Sequence, residues 1–210
     1  QSFARTNRQS IAQRVSILRK LAPGLDSVAE ICCGDCSRQK QIYEDELGIS
    51  QFRCLDLEAA IVAANCAKGV DCYQGDALSM NALRRFSQDD VVFFGPPLSE
   101  VCDGHRGLDF EEVQPAYLDF ANLFLGDLHY DGLLVCICPK TTDMGNITRL
   151  YRHIRTHIPG VNLRLIHHSY TTLTGKDEVT DLRLKYVELW FSSQHQDEWE
   201  VLKSRGSPKS

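Results

Sequence analysis

A run of small residues next to an acid, near the start of the chain, has the composition of a loop that binds a nucleotide-like cofactor. Residues 28–37 read VAEICCGDCS, an apolar stretch that ends in Glu30 and then turns through Cys32, Cys33 and Gly34. Small side chains allow the backbone to pass close to a ligand, and glycine accepts a positive φ without strain. The run departs from the dinucleotide fingerprint at its first and last glycine positions, which disfavours a pyrophosphate ligand. The pattern favours a smaller cofactor with less phosphate.

Two further acids follow in register with this loop. Asp56 ends a second short apolar run about 20 residues after Gly34, where an α/β unit places the carboxylate that binds ribose hydroxyls. Asp76 follows Gly75 at the end of a third run, and a fourth run, residues 90–94, leads into Gly95 and a double proline. The carboxyl ends of parallel strands meet at one edge of a sheet, so these residues are expected to lie close together.

The elements that position these residues alternate between strands and helices. Helical spacing of apolar residues predicts helices after residue 37, over 110–128 with Pro115 in the first turn, and over 147–158. Residues 132–138 form an apolar strand, and strands at 163–170 and 185–191 are joined by a segment too short and too polar for a covering helix. These last two strands should therefore pair antiparallel. The predicted fold is α/β, with a doubly wound, mostly parallel seven-stranded sheet and a C-terminal antiparallel hairpin.

The series of strands and acids resembles the class I, Rossmann-like, S-adenosylmethionine-dependent methyltransferases over roughly residues 25–192. The resemblance implies S-adenosyl-L-methionine as the cofactor. It places the methionine end of the cofactor at the first loop, the ribose at the second strand and the adenine at the third. The implied cofactor-binding residues are Glu30, Cys32, Gly34, Asp56, Leu57, Asp76 and Ala77.

The same resemblance assigns the acceptor side of the site to the fourth strand. In these enzymes a polar residue, two prolines and an aromatic residue mark methylation of exocyclic or amide nitrogens, whereas this chain has Gly95 and Leu98 at the polar and aromatic positions. The backbone carbonyls of Gly95 and Pro96 could still accept a hydrogen bond from a substrate N–H. His105 is the best general base because its ordinary pKa lies near neutrality. The candidate catalytic residues are Gly95, Pro96, Pro97 and His105.

Three functions remain open from the sequence. The first is a methyltransferase with a nitrogen-bearing acceptor such as a nucleobase. The second is an enzyme of the same fold that methylates oxygen or carbon of a small metabolite. The third is a non-catalytic domain, which the loss of glycine at Cys32 and Cys36 and of a polar residue at position 95 would favour.

The first 20 residues could form either a packed helix or an arm for an anionic partner. They contain no acid, and Ile11, Val15 and Leu18 are at helical spacing, which predicts an amphipathic helix with its arginines in solvent. The alternative is a nucleic acid steered by the basic side chains, although the net charge of −5 gives no general basic field. The basic residues of this segment are Arg5, Arg8, Arg14, Arg19 and Lys20. We expect a basic amphipathic helix or arm over 1–24, one domain over 25–195 and a C-terminal tail over 196–210, which is disordered from Lys203 onward.

The nine cysteines raise the possibility of a metal site or of disulfides. Cys33 and Cys36 have the spacing of half a zinc site, but no second pair with comparable spacing exists, and Cys136 and Cys138 point to one face of a strand. We therefore expect no metal, and reduced thiols in a cytoplasmic protein. No apolar run approaches the ~20 residues of a transmembrane helix, so no membrane partner is expected.

Overall fold

The computed structural model describes residues 8–97, 110, 113–174, 180–193 and 200–202. The helices alternate with strands over most of the chain, as the sequence predicts. The strands are β1 (Ser27–Ile31), β2 (Gln51–Asp56), β3 (Asp71–Gln74), β4 (Val91–Phe94), β5 (Leu133–Pro139), β6 (Asn162–Thr174), β7 (Thr180–Ser192) and β8 (Glu200–Leu202). The helices are α1 (Arg8–Leu21), α2 (Ser37–Leu47), α3 (Ala59–Cys66), α4 (Met80–Leu83), α5 (Tyr117–Ala121) and α6 (Met144–His157).

All the strands form one mixed sheet in the order β3-β2-β1-β4-β5-β7-β6-β8. Strands β1 to β5 are parallel, and β7 lies antiparallel between β5 and β6. This confirms the predicted α/β fold with its C-terminal antiparallel hairpin. The strand order reverses between β1 and β4, and at such a switch point the diverging loops leave a crevice at the carboxyl edge of the sheet.

Two details differ from the sequence predictions. An eighth strand, which the sequence does not predict, pairs parallel with β6, with Leu165 opposite Glu200. The helix predicted over 110–128 begins only at Tyr117, because Ala116 is extended with ψ 141°. It continues from α5 as a π-helix over Asn122–Asp127. The wider turn was not predicted, since apolar spacing does not distinguish it from an α-helix.

The sheet is buried on both faces, and the alternation of side chains along each strand decides which core each residue joins. On one face Phe93 stacks on Tyr43 of α2 at 5.9 Å between ring centroids and meets Trp190 edge-on. On the other, Phe94 stacks on Phe120 of α5 at 3.9 Å. Adjacent residues of β4 thus anchor α2 and α5 on opposite sides of the sheet.

Helix α1 packs on the sheet and is not a free arm. Ile11 and Leu18 are fully buried, and the side-chain amide of Gln13 both donates to the Tyr170 carbonyl, at 3.0 Å, and accepts from the Tyr170 N–H, at 3.2 Å. The prediction of solvent-exposed arginines holds for Arg8 but is wrong for Arg14, which is only 1% exposed. Glu188 of β7 lies in the core opposite Arg14 and offsets part of the cost of burying the guanidinium, whose two terminal nitrogens are buried without a hydrogen-bond partner.

Among the described residues, no helix combines the length and the apolar character needed to cross a bilayer.

Candidate cofactor site

The loops that follow β1, β2 and β3 are tied together at the carboxyl edge of the sheet. The Gly34 N–H donates to the Asp56 carboxylate at 3.0 Å, and the Cys33 N–H donates to the Leu55 carbonyl at 3.2 Å. The Gly75 N–H donates to the Asp56 carbonyl at 2.9 Å. Asp56 is therefore the residue through which the first and third loops are joined to the second strand.

The turn after β1 has a left-handed backbone at two positions. Cys32 has φ 60° and Gly34 has φ 56°. A residue with a Cβ is disfavoured in this region by about 1–2 kcal/mol. The turn therefore keeps a glycine-like backbone although Cys32 replaces the expected glycine. This preserves the close approach to the backbone that the sequence predicts for a cofactor loop.

Asp56 presents a fixed carboxylate at the end of β2. It is 8% exposed, and its two oxygens accept from the Gly34 N–H and from the Glu58 N–H, each at 3.0 Å. A carboxylate has about four lone-pair sites, so capacity remains for ligand hydroxyls. Leu57 follows directly and is 67% exposed, which leaves an apolar side chain in solvent beside this acid. An oriented acceptor next to an apolar surface fits a nucleoside.

The third loop brings Asp76 and Ala77 to the same edge. Asp76 is exposed and its Oδ1 accepts from the Leu78 N–H at 2.8 Å, while Ala77 is buried. Glycine is required before them, because a Cβ on Gly75 would lie 3.0 Å from the Leu55 side chain. The close contact between Gly75 and β2 fixes the position of the Asp76 backbone at the edge of the sheet.

Asp76 gives a testable order of cofactor affinities. If its carboxylate reads an adenine amino group, Asp76→Asn should weaken cofactor binding less than Asp76→Ala, since the amide retains an acceptor oxygen. Calorimetric titration of both variants measures the order. Equal losses, or none, would assign Asp76 only the local turn to Leu78.

Glu30 lies in a buried polar cluster. It lies on the face covered by α1 and α2, where Arg14 Nε contacts Glu188 Oε1 at 2.6 Å and Tyr43 and Trp190 also lie. Burial raises the pKa of Glu30 from its ordinary 4.5 to about 8, with the nearby Cys36 and Glu188 adding to the shift and Arg14 opposing it. The role of Glu30 toward the methionine end of the cofactor stays a prediction.

The buried carboxyl predicts a pH-dependent stability. A raised pKa in the folded state means that the contribution of Glu30 is fully present below pH 4.5 and is lost as the pH rises toward 8, by up to about 1.4 kcal/mol per pH unit. Glu30→Gln should therefore gain stability relative to the wild type between pH 5 and pH 9. Urea unfolding across this range measures the difference, with the exposed Glu46→Gln as the control. A difference that is constant with pH would contradict the assignment.

The acceptor side is only partly described. The Gly95 N–H donates to the Ile31 carbonyl at 3.2 Å, Pro96 is buried and Pro97 is exposed, so the double proline leaves β4 beside the first loop. A Cβ on Gly95 would meet Ile137 at 3.4 Å, a tight but nearly ordinary contact. His105 and Leu98 lie outside the described residues.

The sequence reasoning missed a cluster of four cysteines under the first loop. Cys33, Cys54 and Cys72 have Sγ atoms within 4.8 Å of one another, and Cys36 Sγ lies 3.3 Å from Cys54 Sγ. The second pair of ligands consists of Cys54 on β2 and Cys72 on β3. These two residues lie opposite each other in the parallel pairing of the strands. A cysteine at the matching position of two predicted neighbouring strands was the available signal.

Comparison with known proteins reveals the fold but no close relative. No family model matches the chain, and no curated protein matches it. Among solved structures, the methyltransferase domain of bacterial CtHen1-C matches with a TM-score of 0.59 at 11% identity, covering 88% of this chain and 96% of that one. The chain has a methyltransferase fold.

Two other solved structures with this fold are named as different methyltransferases. A precorrin-6y C5,15-methyltransferase from Geobacter metallireducens gives a TM-score of 0.53 at 13% identity, covering 90% of this chain and 93% of that one. A human methyltransferase 10 domain-containing protein gives 0.54 at 12% identity, covering 91% of this chain and 86% of that one. Identities this low establish the architecture alone.

Proposed function

We propose that this domain binds S-adenosyl-L-methionine at the carboxyl edge of the sheet and transfers its methyl group to a nitrogen-bearing acceptor. The observation that carries the proposal is the bond between the Gly34 N–H and the Asp56 carboxylate. It joins the turn after β1 to the end of β2 at the switch point of a methyltransferase fold, where such folds bind nucleotide ligands.

The residues of the site fit this cofactor in chemical type. Asp56 offers a preoriented acceptor for ribose hydroxyls, Asp76 offers an acceptor for an amino group, and the left-handed turn at Gly34 leaves a backbone surface free of bulky side chains. The cofactor supplies an already activated methyl group on a sulfonium. The protein then has to align the acceptor and exclude water, and this positioning can supply much of the rate enhancement.

The acceptor is proposed to enter over Gly95, Pro96 and Pro97. Pro96 and Pro97 have no backbone N–H, so this segment presents mainly carbonyl acceptors, which suit a substrate amine or amide N–H. A carbonyl that accepts the N–H bond turns the nitrogen lone pair toward the methyl group. His105 remains the candidate base if the acceptor nitrogen must lose a proton.

A nucleic-acid acceptor is favoured by the orientation of α1. Strand β6 runs parallel to β5, so its later residues lie at the carboxyl edge, and Ser10 Oγ bonds Ser169 Oγ there at 2.9 Å. The amino end of α1, with exposed Arg8, therefore lies at the same edge of the sheet as the proposed site. Arg14 takes no part because it is buried.

The nucleic-acid branch is tested by the salt dependence of binding. Arg8→Ala should lower the slope of log affinity against log salt by about 0.7–0.9, the value for one phosphate contact. Arg19→Ala is the matched control, since Arg19 lies at the other end of α1 and pairs with Glu46. Methylation of a small amine without salt-dependent RNA or DNA binding would exclude this branch.

The cofactor itself is tested by calorimetric titration with S-adenosylmethionine and with its demethylated product. Binding of both, with a methyl group recovered on an amine or nucleobase, supports the proposal. Binding without transfer would instead support a non-catalytic domain, and transfer to oxygen or carbon of a metabolite would support the second alternative. If neither ligand binds, the enzyme assignment falls.

A further inference from the structure

The four cysteines of the cluster approach one another from three separate elements. Cys33 and Cys36 belong to the turn that leads from β1 into α2, whereas Cys54 and Cys72 lie on β2 and β3. Cys33 Sγ is 4.0 Å from Cys72 Sγ, and Cys36 Sγ is 3.3 Å from Cys54 Sγ. Cys36, Cys54 and Cys72 are buried, and Cys33 is half-buried. Three of the sulfur atoms, those of Cys33, Cys54 and Cys72, thus form a compact group, and Cys36 extends it beside Cys54.

The two measured sulfur–sulfur distances are close to those around a single tetrahedral zinc ion, although Cys36 does not lie within 4.8 Å of all three other sulfur atoms. Zinc–thiolate bonds of about 2.3 Å place the sulfur atoms of a four-cysteine site ~3.8 Å apart. The observed 3.3 Å and 4.0 Å pairs lie on either side of that value, and 4.8 Å bounds the spread among Cys33, Cys54 and Cys72. An iron–sulfur cube would need its four ligands spread more widely, and a disulfide would need one pair to close to about 2.05 Å.

The surroundings of the cluster stabilise thiolates. The Asn65 side-chain amide is buried and donates toward Cys33 Sγ at 3.7 Å and Cys72 Sγ at 3.9 Å, while its oxygen accepts from the Cys36 N–H. Such outer hydrogen bonds orient metal ligands. Cys36 is also the N-cap residue of the 11-residue α2, where the helix dipole favours a negative sulfur.

We propose that Cys33, Cys36, Cys54 and Cys72 form a structural zinc site. All four ligands come from the protein, so the site is closed and has no open position for a substrate. On binding Zn²⁺ the four thiols lose four protons to solvent, and no oxidation is involved. The ion would fasten the turn containing Gly34, which is the proposed cofactor loop, to β2 and β3. Only this last consequence rests on the proposed function, because metal binding does not require a cofactor.

The test is metal binding by the whole reduced chain. Protein from zinc-supplemented growth should contain one zinc per chain, and Co²⁺ should replace it with the visible bands of tetrahedral thiolate coordination. Cys72→Ser should weaken Co²⁺ binding by more than the ~10–100-fold that losing an outer hydrogen-bond partner costs. Cys66→Ser is the matched control, because Cys66 is exposed and lies only six positions before Cys72, its Sγ contacting the Cys72 carbonyl at 3.5 Å.

Each outcome decides the proposal. One zinc per chain, cobalt bands and four protected thiols support it, as does a higher melting temperature with added Zn²⁺ than without it. If Cys72→Ser does not fold, the cobalt titration of the wild type still decides. Folded, reduced wild type that takes up neither metal, or a Cys36–Cys54 disulfide found by mass spectrometry in its place, would overturn the site. Cofactor titration of the zinc-loaded protein is scored separately, so failure of the enzyme assignment does not affect this result.

Discussion

Arg14→Ala is expected to destabilise the domain by about 3–5 kcal/mol, because it removes one partner of a buried ion pair and leaves the other charge uncompensated. Arg14 and Glu188 are 1% and 0% exposed, and their 2.6 Å contact joins α1 to β7. Arg14 also lies over the Phe93 ring at 5.1 Å, so alanine loses packing as well as charge. Urea unfolding measures the loss.

The charge can be separated from the packing with a double substitution. Arg14→Met combined with Glu188→Leu removes both charges and fills similar volume, and it should be markedly more stable than either single variant. Arg19→Ala serves as the control, since its pair with Glu46 is more than half exposed and contributes at most about 1 kcal/mol. If the losses of unfolding free energy in the two single variants simply add in the double variant, the two charges do not interact, which would contradict the prediction.

Asp56→Ala is expected to weaken binding of S-adenosylmethionine several-fold to a hundredfold, equivalent to about 1–3 kcal/mol for charge-assisted hydrogen bonds. Two effects combine in this variant. The acceptor for the ribose hydroxyls is lost, and so is the anchor of the Gly34 N–H. Asp56→Asn keeps one acceptor oxygen and should fall between the wild type and the alanine variant. Calorimetry on folded protein measures all three.

The control for this prediction is an acid at the opposite edge of the sheet. Asp131 is exposed and precedes β5, so Asp131→Ala should leave cofactor affinity unchanged. Unchanged affinity in Asp56→Ala would remove Asp56 from the site, whereas equal losses in both variants would indicate a general effect of charge.

The fold and the position of Asp56 could be predicted because both depend on local patterns. Buried strands that end in an acid or a glycine are visible in the sequence, and the short polar segment before β7 indicates the hairpin. Helical spacing puts Arg14 on the same face as Ile11 and Leu18, but a buried arginine needs a partner, and Glu188 is 174 positions away and reaches it only through the fold. The burial of Glu30 beneath α1 and α2 likewise depends on how the helices pack on the sheet, and its role toward the cofactor stays a prediction.

The cysteine cluster shows a second limit of sequence reasoning. Metal sites are recognised by pairs of ligands at short spacing, whereas Cys54 and Cys72 each stand alone on a strand. Parallel pairing in register makes them neighbours. The information was present in the sequence, but only the strand alignment could reveal it.

The contact between Gln13 and Tyr170 bears on how the sheet ends. Strand β6 would offer an unpaired row of backbone groups on its outer side, which is a template for association with another chain. Strand β8 occupies that side at Leu165–His167, and the Gln13 amide takes both backbone groups of Tyr170 further along. The Gln13 side chain thus makes the two hydrogen bonds that a residue of a neighbouring strand would make to Tyr170. Its loss would reopen this edge and promote aggregation at a position far from the proposed chemistry.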